Sequence, residues 1–307
     1  GKRGTHFSPS LHSMLDKVDP DTVEAYQRKL VSFKTRHVHS KCSKEEFIPW
    51  LAEFYKNHGC DTILKFPLPF APGAFEIVGV RYGRKEPTLD NVIILGGHAD
   101  VIISGADPET PHQGANDNTT GQVAVMEACR VHSYFTFNKT ILYAAHNGEE
   151  LGLWGSREVV RWLKSINAKT YGGIFSYDMF GMEAGSEGLT FSVWTGPGGS
   201  QAKEAQEFVD KMKEVKEKYG LKQPQIIQTI SDQPHSSDFW NYHNAGYLCL
   251  SHNFETAGAG QIHTEMDVMK DTYDKVYQAE CAKMGIITTA EYAGISRTGI
   301  KKKEKIL

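Results

Sequence analysis

Apolar positions recur at helical spacing in two segments near the start of the chain. Val23, Tyr26 and Leu30 mark one face of 21–34, and Phe47, Trp50, Leu51 and Phe54 mark one face of 44–57. Ser43, with Glu46 three residues on, has the form of a capping box opening the second helix. The period then changes. Residues 75–82 and 91–97 read as strands, and Val92-Ile93-Ile94-Leu95 is apolar on both faces, as a strand inside a parallel sheet must be. A helix over about 119–131 and a buried strand over 140–145 follow, then a helix through Trp162 and strands at 173–177 and 189–194. A long charged helix over 201–219, a strand at 225–230, a helix at 236–243, a strand at 247–250 and a closing helix over 273–287 complete the pattern. Alternation of this kind predicts an α/β fold, a mixed, mostly parallel central sheet sandwiched by helices. No internal repeat or low-complexity linker interrupts it. Residues 1–307 therefore read as one domain, with 1–60 as N-terminal packing helices and 70–295 as the α/β core.

Composition narrows the partners. The 307 residues are 40% hydrophobic and 23% charged, ordinary for a globular chain, and a net charge of -3 offers no long-range attraction to nucleic acid or to an anionic membrane. The one concentrated basic run, Lys301-Lys302-Lys303-Glu304-Lys305, reads as a solvated tail. Five widely spaced cysteines without a CxxC indicate neither a disulfide scaffold nor a cysteine zinc site, and their odd number leaves one thiol unpaired within the chain. No apolar run approaches the length of about 18 residues that a membrane span needs. The chain begins at Gly1 without Met and shows no apolar signal core, which fits a processed or trimmed chain.

Polar residues capable of chemistry follow the apolar strands. His98 and Asp100 come just after the buried strand at 91–97, two apart, so both can face one side; a carboxylate beside the imidazole would fix its tautomer for metal binding. A lone histidine at a strand end is more often structural. Asp117 lies in Gly114-Ala115-Asn116-Asp117-Asn118-Thr119-Thr120, where capping a helix is the ordinary role, although Thr119 or Thr120 can cap instead and leave Asp117 free to bridge two cations. Glu149 and Glu150 open a helix after the strand at 140–145; side chains one residue apart diverge by roughly 100°, so one can ligate while the other stays free. Acidic first turns also simply complement the helix dipole. Asp178 closes an apolar strand, where a bare charge is costly without a partner, and His263 sits in the Gly-rich loop Gly258-Ala259-Gly260-Gln261-Ile262-His263. Each signal is weak alone; the ordered set points to metal-assisted hydrolysis at the carboxyl edge of the sheet.

His98-Ala99-Asp100, Asn116-Asp117-Asn118, Glu149-Glu150-Leu151-Gly152-Leu153-Trp154-Gly155-Ser156, Tyr177-Asp178-Met179 and Ile262-His263-Thr264 resemble the M28 family of dizinc aminopeptidases, typified by secreted bacterial leucyl aminopeptidases. The resemblance runs from about residue 90 to 270 and implies the fold of the zinc exopeptidases. It implies two Zn²⁺ ions: His98, Asp117 and Asp178 on one, Asp117, Glu150 and His263 on the other, with Asp117 bridging. Glu149 matches the family's general base and Asp100 the carboxylate behind the first histidine. Two such ions about 3.5–4 Å apart can hold a hydroxide and polarise a scissile carbonyl. Three ligand carboxylates against two divalent cations leave one positive charge for that hydroxide, and Glu149 stays outside to handle the proton. The implied activity is removal of N-terminal residues from peptides with a free N-terminus by a monomer that is secreted or periplasmic.

Departures from the family pattern bear on specificity. Ser231-Asp232-Gln233-Pro234-His235 carries neither the disulfide nor the oxyanion-stabilising Tyr of the bacterial leucyl enzymes, and Ile262 stands where other members place a Tyr. His235 is the expected helper at the oxyanion, and Asp232 is expected to line the substrate pocket and favour a cationic first side chain. A dizinc carboxypeptidase or dipeptidase would need a basic cluster for the substrate carboxylate, with Arg157 and Lys270 the nearest candidates by sequence. Single-zinc glutaminyl cyclase relatives are disfavoured by the presence of both His98 and Asp117, and a non-catalytic binding relative by the intact ligand set. Asn138-Lys139-Thr140 is a glycosylation sequon beside a buried strand.

Overall fold

A computed structural model describes residues 10–185, 188–231, 237–254 and 259–296. In chain order the helices are α1 (Leu11–Leu15), α2 (Pro20–Val31), α3 (Ile48–Asn57), α4 (Gly121–His132), α5 (Trp154–Ser165), α6 (Ala202–Tyr219), α7 (Phe239–Asn244) and α8 (Lys275–Ala293). The strands are β1 (Thr62–Pro67), β2 (Phe75–Arg81), β3 (Asn91–His98), β4 (Thr140–His146), β5 (Lys169–Thr170), β6 (Ile174–Tyr177), β7 (Leu189–Trp194), β8 (Ile226–Ile230) and β9 (Cys249–Phe254). All nine form one mixed sheet in the order β1-β2-β4-β3-β6-β9-β7-β8, with β5 beside β3. The central strands β4, β3, β6 and β9 run parallel to their neighbours in that order, whereas β1–β2, β2–β4 and β9–β7 are antiparallel.

The two-residue period of a strand divides the core. Ile93 and Leu95 of β3, Ile141 and Tyr143 of β4, and Phe175 of β6 face one apolar layer, which is completed by α2, α3, α4, α6 and α8. Val92 and Ile94, Leu142 and Ala144, and Ile174 face the other, closed by α5 and α7. Strands apolar at every position are thus required by helices on both faces.

Several local expectations shift. Ser43 and Glu46 do not form a capping box. The helical segment begins three residues earlier, where Ser40 Oγ accepts the Ser43 N–H at 3.0 Å, because Ser43 itself is buried within the helical turn. Neither threonine caps α4: Thr119 and Thr120 hydroxyls donate to Gly114 and Asn116 carbonyls, and Asn118 Oδ1 accepts the Gly121 N–H at 3.2 Å. The two-residue β5 and the single-turn α1 give too few residues for a periodic signal, the edge strand β1 has no buried position to mark a face, and none of the three is among the elements expected from the sequence. Strand β9 runs on to Phe254 by pairing with β7, and α8 continues to Ala293, buried on most of its surface. No helix among the described residues is long and apolar enough to cross a membrane.

Candidate metal centre

Parallel pairing sets His98 opposite His146, so the segments leaving β3 and β4 emerge side by side, with the end of β6 on the far flank of β3. His98, the Glu149-Glu150 turn and Asp178 therefore converge at one sheet edge, and the loops bearing Asp117 and His263 close over it. His98 Nε2 lies 3.0 Å from Asp117 Oδ1, 3.4 Å from Asp178 Oδ1 and 3.6 Å from Glu149 Oε2. His263 Nε2 lies 2.9 Å from Asp117 Oδ2 and 2.9 Å from Glu150 Oε2. Asp117 thus offers one oxygen to each histidine. Two sets of potential ligand atoms, each within 4.8 Å of one another, are His98, Asp117 and Asp178, and Asp117, Glu150 and His263. A third set, His98 with Glu149 and Glu150, overlaps both; once the other two are filled, Glu149 is the carboxylate left over.

Asp100 sits behind this cluster. Its carboxylate accepts the N–H groups of Glu149 and Glu150 at 3.1 and 3.2 Å, and Oδ1 is 3.4 Å from His98 Nδ1, whose other neighbour is the Asp100 carbonyl at 3.2 Å. A proton held on Nδ1 leaves Nε2 with its lone pair toward the cluster. Glu76, on β2 and fully buried, supports the same turn: Oε1 pairs with His146 Nδ1 at 2.7 Å and Oε2 accepts the Asn147 N–H at 2.7 Å. The close packing demands glycine nearby, since a Cβ at Gly155 would stand 1.8 Å from Glu76 Oε2 and one at Gly96 2.7 Å from His146 Nε2.

The residues that aim Asp117 are not among the candidates that the sequence offers. Asp267 accepts the N–H groups of Asn116 and Asp117 at 2.8 and 3.0 Å. Asn118 ties the ends of β3 and β6 together, donating to the Tyr177 and His98 carbonyls and accepting from Met179 N–H at 2.7 Å. Buried Arg36 donates to the Ala99 carbonyl at 3.2 Å and to Thr119 Oγ1 at 2.6 Å. Ser237 Oγ donates to Asp178 Oδ2 at 2.5 Å, and the Asp178 N–H donates to His252 Nε2 at 2.9 Å. Asp267 alone carried a signal, an acidic residue four after His263; the others are common polar residues with no spacing rule. Replacing Asp267 by Ala removes both acceptors, and zinc affinity measured by chelator competition is expected to fall by about 10–100-fold. Unchanged affinity would mean that the loop holds Asp117 without it.

Asp232 and His235 lie outside the described residues. Arg157 and Lys270 do not line the cleft beside the cluster: Arg157 Nη2 donates to the Gly152 carbonyl at 2.9 Å, and Lys270 donates to Gln261 Oε1. That cleft, of about 400 Å³, has Glu149, Glu150 and Asp178 on its floor and Leu153, Met179 and Ile262 in its wall. A larger hollow of about 550 Å³, lined among others by Lys164, Lys169, Glu204 and Glu207, contains no residue of the cluster.

Charge in the cluster is out of balance. Burial opposes protonation of His98, but Glu149 and Asp178 beside it prevail and push its pKa well above the usual value. Burial, foremost, raises Glu149 well above the carboxylate range and Glu150 to about 8, the latter helped by the Asp117 charge. Burial would also raise Asp117, yet hydrogen bonds from His263 and His98 hold it below its ordinary value. Protons are being drawn in where cations are wanted. Glu150 Oε1 and Asp178 Oδ1 are buried without a hydrogen-bond partner among the described residues. Orphaned carboxylate oxygens beside two imidazoles suit divalent zinc, which takes nitrogen and oxygen ligands of this kind.

The model of Peptidase family M28 matches residues 76–287, spanning every residue of the cluster. The chain belongs to peptidase family M28. A probable zinc metalloprotease of Pyrenophora teres f. teres is 26% identical over 197 residues, 58% of this chain and 40% of that protein. The chain thus spans less than half the length of that curated relative. Among solved structures, the LapA aminopeptidase of Legionella pneumophila superposes with a TM-score of 0.70 at 18% identity, covering 95% of this M28 chain and 78% of LapA. The glutaminyl cyclase of Bacteroides thetaiotaomicron bound to N-acetylhistamine gives 0.68 at 19% identity, covering 88% and 97%. At these identities the likeness is one of fold, an α/β sheet shared by enzymes of different chemistry.

Proposed function

We propose that this M28 chain is a dizinc aminopeptidase that removes N-terminal residues from peptides with a free α-amino group. The observation that supports it most is Asp117, whose two oxygens face His98 and His263 separately. His98, Asp117 and Asp178 would hold one zinc ion, and Asp117, Glu150 and His263 the other; when bound, the ions would act as Lewis acids toward the scissile carbonyl and make water a better nucleophile at neutral pH. Glu149 takes the proton from the attacking water and passes it to the leaving amine. Asp100 fixes both the tautomer of His98 and the backbone of the Glu149-Glu150 turn, so base and ligands move as one unit. The acidic floor of the cleft receives the substrate's α-ammonium group, and Leu153, Met179 and Ile262 provide apolar surface for its first side chain. Export and a monomeric state belong to the same proposal.

The test is a panel of one peptide sequence carrying a free, an acetylated or an N-terminal Gln start, assayed with and without a chelator. Cleavage of the free peptide from its N-terminus, lost on chelation, with the acetylated one inert, is expected. Trimming of the acetylated peptide from its C-terminus would make the chain a carboxypeptidase. Loss of ammonia from the Gln peptide without chain cleavage would make it a cyclase.

Metal removal should also reshape the pH dependence of stability. In the ion-free site, hydrogen bonds to Asp117 and Glu150 raise His263 from 6.5 to about 10, and burial raises Glu150 from 4.5 to about 8. Folding then favours the protonated form of both. The contribution of His263 is full below its unfolded value of 6.5 and disappears as pH rises through about 10, while that of Glu150 disappears between 4.5 and about 8. The urea midpoint of chelated protein is therefore expected to fall as pH rises across this range, with a flatter profile for zinc-loaded protein. A rising midpoint in the chelated protein would contradict the charge reading.

A further inference from the structure

Away from the metal centre, Cys60 and Cys129 meet in the interior. Cys60 lies between α3 and β1, Cys129 is on α4, and their Sγ atoms are 3.7 Å apart. Both are buried, Cys129 completely. A disulfide has its sulfurs about 2.05 Å apart, so roughly 1.7 Å remains to be closed, shared between two side chains. The other thiols have different company: Cys249 donates to the Phe239 carbonyl at 3.5 Å, Cys281 interacts with Tyr277, and Cys42 with Glu46.

Arg81 distinguishes this pair from an ordinary core contact. Its Nη2 donates to the Cys129 carbonyl at 2.9 Å and the His58 carbonyl at 2.8 Å, and stands 3.7 Å from Cys129 Sγ. A fixed guanidinium at that distance stabilises a thiolate, the form that attacks an oxidant. Gly59 and Arg81 also line a small surface cleft of about 30 Å³, room for a water-sized molecule, which comes up to the neighbours of the pair without being lined by either sulfur.

We propose that Cys60 and Cys129 are a modification site, a dithiol that hydrogen peroxide converts into a disulfide linking the end of α3 to α4. The Cys129 thiolate attacks one peroxide oxygen, the O–O bond breaks, and the released hydroxide takes a proton to leave as water, giving a sulfenic acid. The Cys60 sulfur then attacks the Cys129 sulfur, the S–O bond breaks and a second water leaves. In sum, two thiols and one peroxide give one disulfide and two waters, with two electrons passing from sulfur to oxygen. The cross-link encloses a long loop and anchors the helix that directly follows the Asp117 segment.

The test uses the whole protein, first reduced and then exposed to hydrogen peroxide, after which the peroxide is removed and the protein is denatured in the presence of a thiol-blocking reagent, since all five thiols are buried. Each cysteine falls in a separate tryptic peptide. The five free thiols should drop to three, and the peptides of Cys60 and Cys129 should appear joined with the loss of two hydrogens. The thermal midpoint should rise by roughly 5 °C or more and return on reduction, because the bond restricts the unfolded chain. Cys60→Ser should show no cross-linked peptide and no reversible rise. Five thiols surviving peroxide, a bridge to another cysteine, or either residue recovered as a sulfinic acid without bridging would overturn the proposal. The wild-type measurement decides even if the variant does not fold.

Discussion

Glu149→Gln is expected to lower turnover of a free-amino peptide by about 10²-fold or more while zinc content stays at the wild-type level. The side chain differs by one heavy atom, so packing is kept. What is lost is a carboxylate whose oxygen lies 3.6 Å from His98 Nε2 and whose backbone N–H is held by Asp100. As the carboxylate left over when both ligand sets are filled, Glu149 should affect the chemical step and leave metal affinity alone. Single-turnover kinetics with metal analysis on the same sample separate the two. Near-normal turnover would move the base elsewhere, and loss of zinc would make Glu149 a ligand, the alternative that its place beside His98 and Glu150 offers.

Asp117→Ala carries the second large effect, because one side chain serves both ligand sets. Zinc content is expected to fall from two ions toward none, with activity down by at least about 10²-fold at any zinc concentration that leaves the protein soluble. Asp178→Ala belongs to one set alone and should spare the other ion. If the two variants lose the same amount of zinc, Asp117 does not bridge. Removing Asp117 also deprives His263 and His98 of the carboxylate contacts at 2.9 and 3.0 Å, so the circular dichroism of each variant is needed to separate loss of metal from loss of fold.

Most of the sheet was legible in the sequence because β3 and β4 carry continuous apolar runs, and several candidate ligands were legible because they come at the end of such a strand. His98, Asp178 and the Glu149-Glu150 pair were readable in this way. Asp117 and His263 follow no strand directly; they stood in the ordered set as residues of polar or Gly-rich loops, and the resemblance to M28 then assigned each to an ion. Local chemistry misled where two residues compete for one role. Ser43 and Glu46 fit a capping box by spacing, yet Ser40 lies closer to the true start of the helix and takes the cap. The supports of the site stayed hidden for a related reason. Glu76 reaches its partner His146 across 70 residues of sequence, and Asp267 reaches the Asn116 N–H across 151. Contacts of that kind leave no periodic trace; only the folded sheet puts them side by side.

Zinc-edge anomalous scattering from crystals of the loaded protein tests the central claim most directly. The account predicts two peaks, one among His98, Asp117 and Asp178 and one among Asp117, Glu150 and His263, with Asp117 oxygens at roughly 2.0–2.2 Å from both. A single peak, or peaks outside these side chains, would contradict it.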